Sequence, residues 1–174
     1  MSTEDKLVKK AIGGNDQAFL QLMQLYKIDL YKTALSFLRN EGEALEAIQE
    51  VTYRAYKHIK TLREPQFFKT WLIRIMINYC NDQLKNNKRV VLGDELLSIH
   101  GAEENHAHLE LKDAMMGLDE RSREILTLKY FNDMKIKDIA DTMQCPEGTV
   151  KTWLNKALKA LREKLEEKGG NLHV

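Results

Sequence analysis

At 174 residues the chain has room for one domain or two small ones, and 43% hydrophobic with 30% charged residues excludes a disordered or fibrous protein. The formal net charge of +1 argues neither for nor against nucleic acid, so only the distribution of charge is informative. Two prolines, nine glycines and an abundance of Leu, Lys, Glu and Ala point to an all-helical protein.

No apolar run approaches the ~20 residues that span a bilayer, and the start "MSTEDKLVKK" lacks the apolar stretch of a signal peptide. Cys80 and Cys145 match no metal or redox spacing, which suits buried thiols in a reducing compartment. A cytoplasmic protein is expected.

In chain order, a short N-terminal helix precedes a longer one that Asn15 or Asp16 can cap. That helix carries Phe19, Leu22, Met23, Tyr26, Leu30 and Ala34 at i, i+3, i+4, i+7 spacing. "RNEGEA" (39–44) is expected to break it. A second stripe follows at Ala44, Ile48, Val51, Ala55 and Ile59. "TLREPQ" (61–66) breaks the pattern again, because Pro65 disfavours helix at Glu64 and suits the first turn of the next element. The third long helix, 66–86, bears Phe67, Phe68, Trp71, Leu72, Ile75, Met76 and Tyr79, and the set makes a compact bundle.

From Asn86 to about Asn105 the periodicity fades, which predicts a linker. Beyond it, Leu109 to Leu118 reads as a helix. Asp119 can cap the next, which carries Ile125, Leu126, Leu128 and Tyr130. "NDM" (132–134) turns the chain into "KIKDIADTM", and "QCPEG" turns it again into "TVKTWLNKALKAL".

Charge is segregated along this order. Residues 57–90 hold eight Lys/Arg against Glu64 and Asp82, a local +6, and residues 149–164 hold five against Glu163, a local +4. Between them, 91–113 carries six acids against one Lys. Two basic patches can therefore bind phosphate while the whole chain stays near neutral.

Two short helices joined by a tight turn form a helix-turn-helix, whose second helix enters the DNA major groove. The unit needs a small residue where the helices cross, and Ala140 is placed for it. It also needs apolar residues that lock the second helix, and Val150 and Leu154 fit. Thr149, Lys151, Thr152, Asn155, Lys156 and Lys159 are left facing outward, with the hydroxyl, amide and ammonium groups that reach base edges and phosphates. A merely solvated hairpin shares the spacing. It would interleave Glu with Lys for i,i+4 pairing, however, and only Glu147 lies between Asp141 and Glu163.

The stretch "LDERSREILTLKYFNDMKIKDIADTMQCPEGTVKTWLNKALKALREKL" resembles region four of extracytoplasmic-function (ECF) sigma factors of the sigma-70 family. The "EGTVK" core is intact, with Gln144 at the usual turn glycine and Pro146 at the usual capping serine. "EALEAIQEVTYRAYKHI" and "FFKTWLIRIMINYCNDQLKNNKR" resemble region two, with Gln49, Glu50, Phe68, Trp71, Leu72, Arg74, Ile75 and Asn78 on the family pattern.

The resemblance implies that Glu46, Gln49 and Glu50 dock on core RNA polymerase. It implies that the third long helix faces the minus-10 promoter element and that the 144–161 helix reads the minus-35 element. Lys57, Lys60, Arg63, Lys69 and Arg74 would hold melted DNA, with Asn78 as an amide reader beside the 61–66 loop. An anti-sigma factor, which a membrane anchor can hold, is the implied regulator, and a stress response the implied setting. The family needs no cofactor and performs no catalysis.

Two rivals stand beside this reading. A dimeric helix-turn-helix regulator with a helical effector domain would bind a palindrome. A metal enzyme would use "ENHAHLE" (104–110), but His106 and His108 are two apart, a spacing that suits a strand and not a helix. The expectation is therefore a monomeric, all-α protein of two small helical domains. They are a region-two bundle at 1–88 and a region-four helix-turn-helix at 108–174, with a linker at 89–107.

Overall fold

The computed structural model describes residues 2–90 and 106–170; most of the expected linker lies outside the described residues. The chain divides into two compact units, 1–89 and 90–174. Eight α-helices and no strand occur among the described residues.

In the first unit, α1 (Thr3–Ile12), α2 (Asp16–Leu38), α3 (Glu41–His58) and α4 (Phe68–Val90) form the bundle. Ser2 and Asp5 make a capping box at the start of α1, and Asn15 caps α2 by accepting from the Ala18 N–H at 2.9 Å. The break after α2 is only two residues long. Arg39 takes a left-handed conformation (φ 58°) and Asn40 immediately caps α3 through the Glu43 N–H. Gly42 thus lies inside the first turn of α3, where the expected "RNEGEA" break does not extend.

Ala44, Ala47, Val51 and Ala55 are fully buried, and this small-residue stripe lets α3 lie along α2. Ile48, read as part of the stripe, is half-buried while Ala47 takes the packed position. Pro65 opens a single 3-10 turn after an extended Glu64, so α4 starts at Phe68, two residues later than the spacing predicts. Phe68, Leu72, Ile73, Met76, Ile77 and Cys80 face the core. Each such burial contributes ~1.5–3 kcal/mol for the large side chains. The Tyr26 ring tilts against Phe68 (centroids 5.8 Å apart), and its hydroxyl donates to Glu4, tying α1 to α2. Burial, then that bond and the Glu4 charge, push the Tyr26 phenol well above its ordinary pKa.

The second unit contains α5 (His106–Met116), α6 (Glu120–Leu126), α7 (Ile136–Met143) and α8 (Glu147–Gly170). Asp119 caps α6, accepting from the Ser122 N–H at 2.8 Å and the Ser122 hydroxyl at 2.9 Å. Those bonds hold its carboxyl below the usual range, with partial burial opposing them. After Leu126 the chain runs through a π-helical turn, Thr127–Phe131, closed by Asn132, whose backbone and side-chain N–H groups both donate to the Thr127 carbonyl at 3.1 Å. This turn swings Tyr130 outward to 54% exposure, although its spacing from Ile125 and Leu126 predicts an inward position.

Candidate nucleic-acid interface

The turn between α7 and α8 is built from backbone geometry. Gln144 adopts the left-handed conformation (φ 54°, ψ 47°) that a glycine would take, and the Cys145 N–H donates to the Ala140 carbonyl at 3.0 Å. Pro146 offers no hydroxyl cap. Its carbonyl instead accepts from Thr149 (3.0 Å) and Val150 (3.3 Å), starting α8 without a side-chain bond. Cys145 in this turn is half-buried, whereas Cys80 is buried as expected.

Ala140 is buried where α7 meets α8. Val150, Leu154 and Ala157 form the packed stripe of α8 against α6 and α7. The opposite side exposes Lys151, Thr152, Asn155, Lys156 and Lys159, while Thr149 is half-buried. The Thr152 hydroxyl donates to the Gly148 carbonyl at 3.0 Å, which leaves it an acceptor for an incoming donor. Trp153 sits between the two faces with the Arg121 guanidinium 4.1 Å from its ring centroid. Nothing in the local spacing reveals that contact.

On α4 the structure separates residues that the sequence groups together. Arg74 and Asn78 are i,i+4 neighbours on the side away from the core, and Asn78 is exposed. Lys69 lies ~140° around the axis from Arg74 and reaches Asp29 of α2 at 3.9 Å. Arg63 is exposed in the loop between the two 3-10 turns.

On α3, Glu46 and Glu50 are i,i+4 neighbours on the side towards Tyr79, and Gln49 faces elsewhere. Gln49 opens into a surface groove of about 380 Å³ with Asp16, Phe19, Leu20, Thr52, Tyr53 and Tyr56. Glu50 is half-buried and accepts from Arg54 at 2.9 Å, and the Arg54 guanidinium lies 5.2 Å from the Tyr79 ring centroid. Burial, with the charges of Glu46 and Glu50, raises the Tyr79 phenol. Leu20, Tyr53 and Tyr56 are more than half exposed, and the Tyr56 hydroxyl is held by Asp16 at 2.9 Å. The recurrence of Tyr53 and Tyr56 at i,i+3, off the Val51 and Ala55 stripe, was the available signal for this groove.

The backbone over "HAHLE" is helical, so the metal-enzyme reading loses the strand it needed. Among the described residues no helix is long and apolar enough to cross a membrane.

The family model "Sigma-70 region 2" matches residues 22–90, and "Sigma-70, region 4" matches 108–161. The chain is 32% identical over 143 residues to the RNA polymerase sigma factor SigV of Bacillus subtilis, covering 80% of this chain and 86% of that one. The chain belongs to the sigma-70 family. This sigma factor is also 28% identical over 180 residues to the ECF sigma factor SigW of the same organism, covering 93% and 96% of the two chains.

Among solved structures, the sigma factor has the fold of CnrH, solved with the cytosolic domain of CnrY. The TM-score is 0.71 at 21% identity, over 95% of this chain and 99% of that one. The sigma factor RpoE, solved with the anti-sigma factor NepR from Bartonella quintana, matches with a TM-score of 0.65 at 25% identity, over 85% and 96%. The protein is thus an ECF-type RNA polymerase sigma factor acting in transcription initiation, and the dimeric-regulator alternative gives way.

Proposed function

We propose a residue-level division of labour for this sigma factor. Thr149, Lys151, Thr152, Asn155, Lys156 and Lys159 on α8 contact the minus-35 element. Arg63, Lys69, Arg74 and Asn78 serve the minus-10 element, and Glu46, Gln49 and Glu50 serve core RNA polymerase. The domains are a region-two unit at 1–88 and a region-four unit at 108–174.

One observation carries the minus-35 assignment. On α8, Val150, Leu154 and Ala157 are buried, while Lys151, Thr152, Asn155, Lys156 and Lys159 are exposed together. A helix fixed this way on its own domain presents a rigid polar face, and DNA supplies the negative charge that the face lacks. For the minus-10 element, Arg74 and Asn78 share a face of α4, whereas Lys69 must leave Asp29 to join them. The exposed aromatic groove at Gln49 suits a helical ridge of the polymerase, with Tyr53 and Tyr56 added to the contact.

The protein has no chemistry of its own in this reading. Its function is differential binding, as a cytoplasmic monomer that needs no cofactor. An anti-sigma factor is its regulator; the structural relative solved with the anti-sigma factor NepR supports that partner.

Run-off transcription with core polymerase and randomised promoters tests the proposal. Lys151→Ala and Asn155→Ala are each expected to weaken the minus-35 contribution by ~1–3 kcal/mol. Asn78→Ala should alter minus-10 preference instead. If Lys151→Ala and Asn155→Ala leave promoter choice and strength untouched, the α8 face assignment is wrong.

A further inference from the structure

Trp153 stands at the border of the polar face of α8. Around the helix axis it is ~100° from Thr152 and adjacent to Thr149 and Lys156, at i−4 and i+3. It is half-buried. Over its ring lies Arg121, an exposed residue in the first turn of α6, with the guanidinium carbon 4.1 Å from the indole centroid. Among the described residues no carboxylate is ion-paired with Arg121.

A guanidinium held over an indole gains cation–π attraction and loses little of its hydration, and its N–H edges stay available in its own plane. That planar fork matches two oxygens of one phosphate. The indole also restricts a long side chain before any ligand arrives, which lowers the entropy lost on binding. A helix whose polar face enters a groove brings its flanks against the sugar–phosphate walls, where contacts position the protein and carry no base information. An acidic protein surface could offer carboxylates to the same fork. The location beside Thr149 and Lys156, within the acid-poor stretch of α8, favours DNA.

We propose that Arg121, braced by Trp153, grips a DNA backbone phosphate at the groove wall beside α8, with Trp153 as its positioning residue. This rests on the reading of α8 as a duplex-DNA helix. It explains why a large aromatic side chain borders an otherwise polar face. It also extends the DNA-binding surface from α8 to α6.

The test uses holoenzyme assembled with core RNA polymerase and promoter duplexes that differ in the minus-35 element, with affinity measured across a salt series. Arg121→Ala is expected to weaken binding roughly tenfold and to lower the salt slope by about one, equally for every minus-35 sequence. Arg121→Lys keeps the charge without the planar fork, so it should preserve the slope and recover part of the affinity. Trp153→Phe retains a ring and should bind more tightly than Trp153→Leu, with unchanged sequence preference. If Arg121→Ala proves less stable, Arg121→Gln reads the slope in its place, since it removes the charge and the guanidinium fork but keeps a polar head.

An Arg121→Ala protein with unchanged affinity and slope, beside weakened Lys151→Ala and Asn155→Ala proteins, would reduce the stack to a packing contact and overturn the proposal alone. If all three substitutions leave binding unchanged, the DNA reading of α8 falls, and this proposal with it.

Discussion

The two units solve the problem of presenting a surface in different ways. The first relies on helices of 18 to 23 residues whose large side chains, among them Leu22, Leu30, Phe37, Phe68 and Leu72, bury almost completely. The second holds helices of seven and eight residues, too short to be stable alone, between the Asp119 cap, the π turn at 127–131 and the left-handed Gln144. In the first unit packing positions the exposed face. In the second, caps and backbone turns hold the short helices on which the buried Val150, Leu154 and Ala157 stripe seats α8, so local substitutions at those turns should read out as small changes in stability.

The largest expected effect breaks the packing side of this contrast. Phe68→Ala should destabilise the first unit by ~3–5 kcal/mol. The chain has two tryptophans, Trp71 in the first unit and Trp153 in the second, so fluorescence can follow each unit. In urea the transition seen in a Trp153→Phe background should shift, and the one seen in a Trp71→Phe background should not. A common shift would show that the units unfold together.

Tyr53→Ala comes next. The side chain is 58% exposed, so stability should hold within ~0.5 kcal/mol while affinity for core polymerase falls by ~2 kcal/mol, measured by competition for core. Loss of stability with unchanged core affinity would move the groove from function to structure.

Asp119→Ala should cost the second unit about 1 kcal/mol at neutral pH. Because the folded carboxyl has a lowered pKa, its contribution is present above the unfolded value of about 3.9 and fades as pH falls through the folded value. The wild-type and Asp119→Ala unfolding curves should therefore converge in acid. Curves that stay equally separated at pH 2 would point to a contact other than the carboxylate cap.

The smallest effect is a gain. Gln144→Gly relieves a left-handed non-glycine residue and should stabilise the second unit by ~0.5–1 kcal/mol in thermal unfolding, leaving α8 in place. A loss of stability would mean that the Gln144 side chain contributes more than its backbone strain costs.

Legibility followed the range of the interaction. The Asn15 and Asp119 caps act over three residues, and the buried stripe Val150, Leu154, Ala157 repeats with the helix, so both could be read from spacing. The break at residues 39–44 is shorter than its composition suggests, because Gly42 is accommodated in the first turn of a helix that Asn40 already caps. Periodicity also misjudged Tyr130, since the π turn changes the angle per residue from that point onward.

By itself, the sequence determined the helices, their order, the segregation of basic charge and the polar face of α8, all of which depend on neighbours within about two turns. Only the tertiary structure decided that Lys69 reaches Asp29 while Arg74 and Asn78 share another face, that Gln49 opens onto an aromatic groove, and that Arg121 covers Trp153. Those contacts join different helices, and a hydrophobic repeat records that one side of a helix is buried without recording which side chain arrives from the helix opposite.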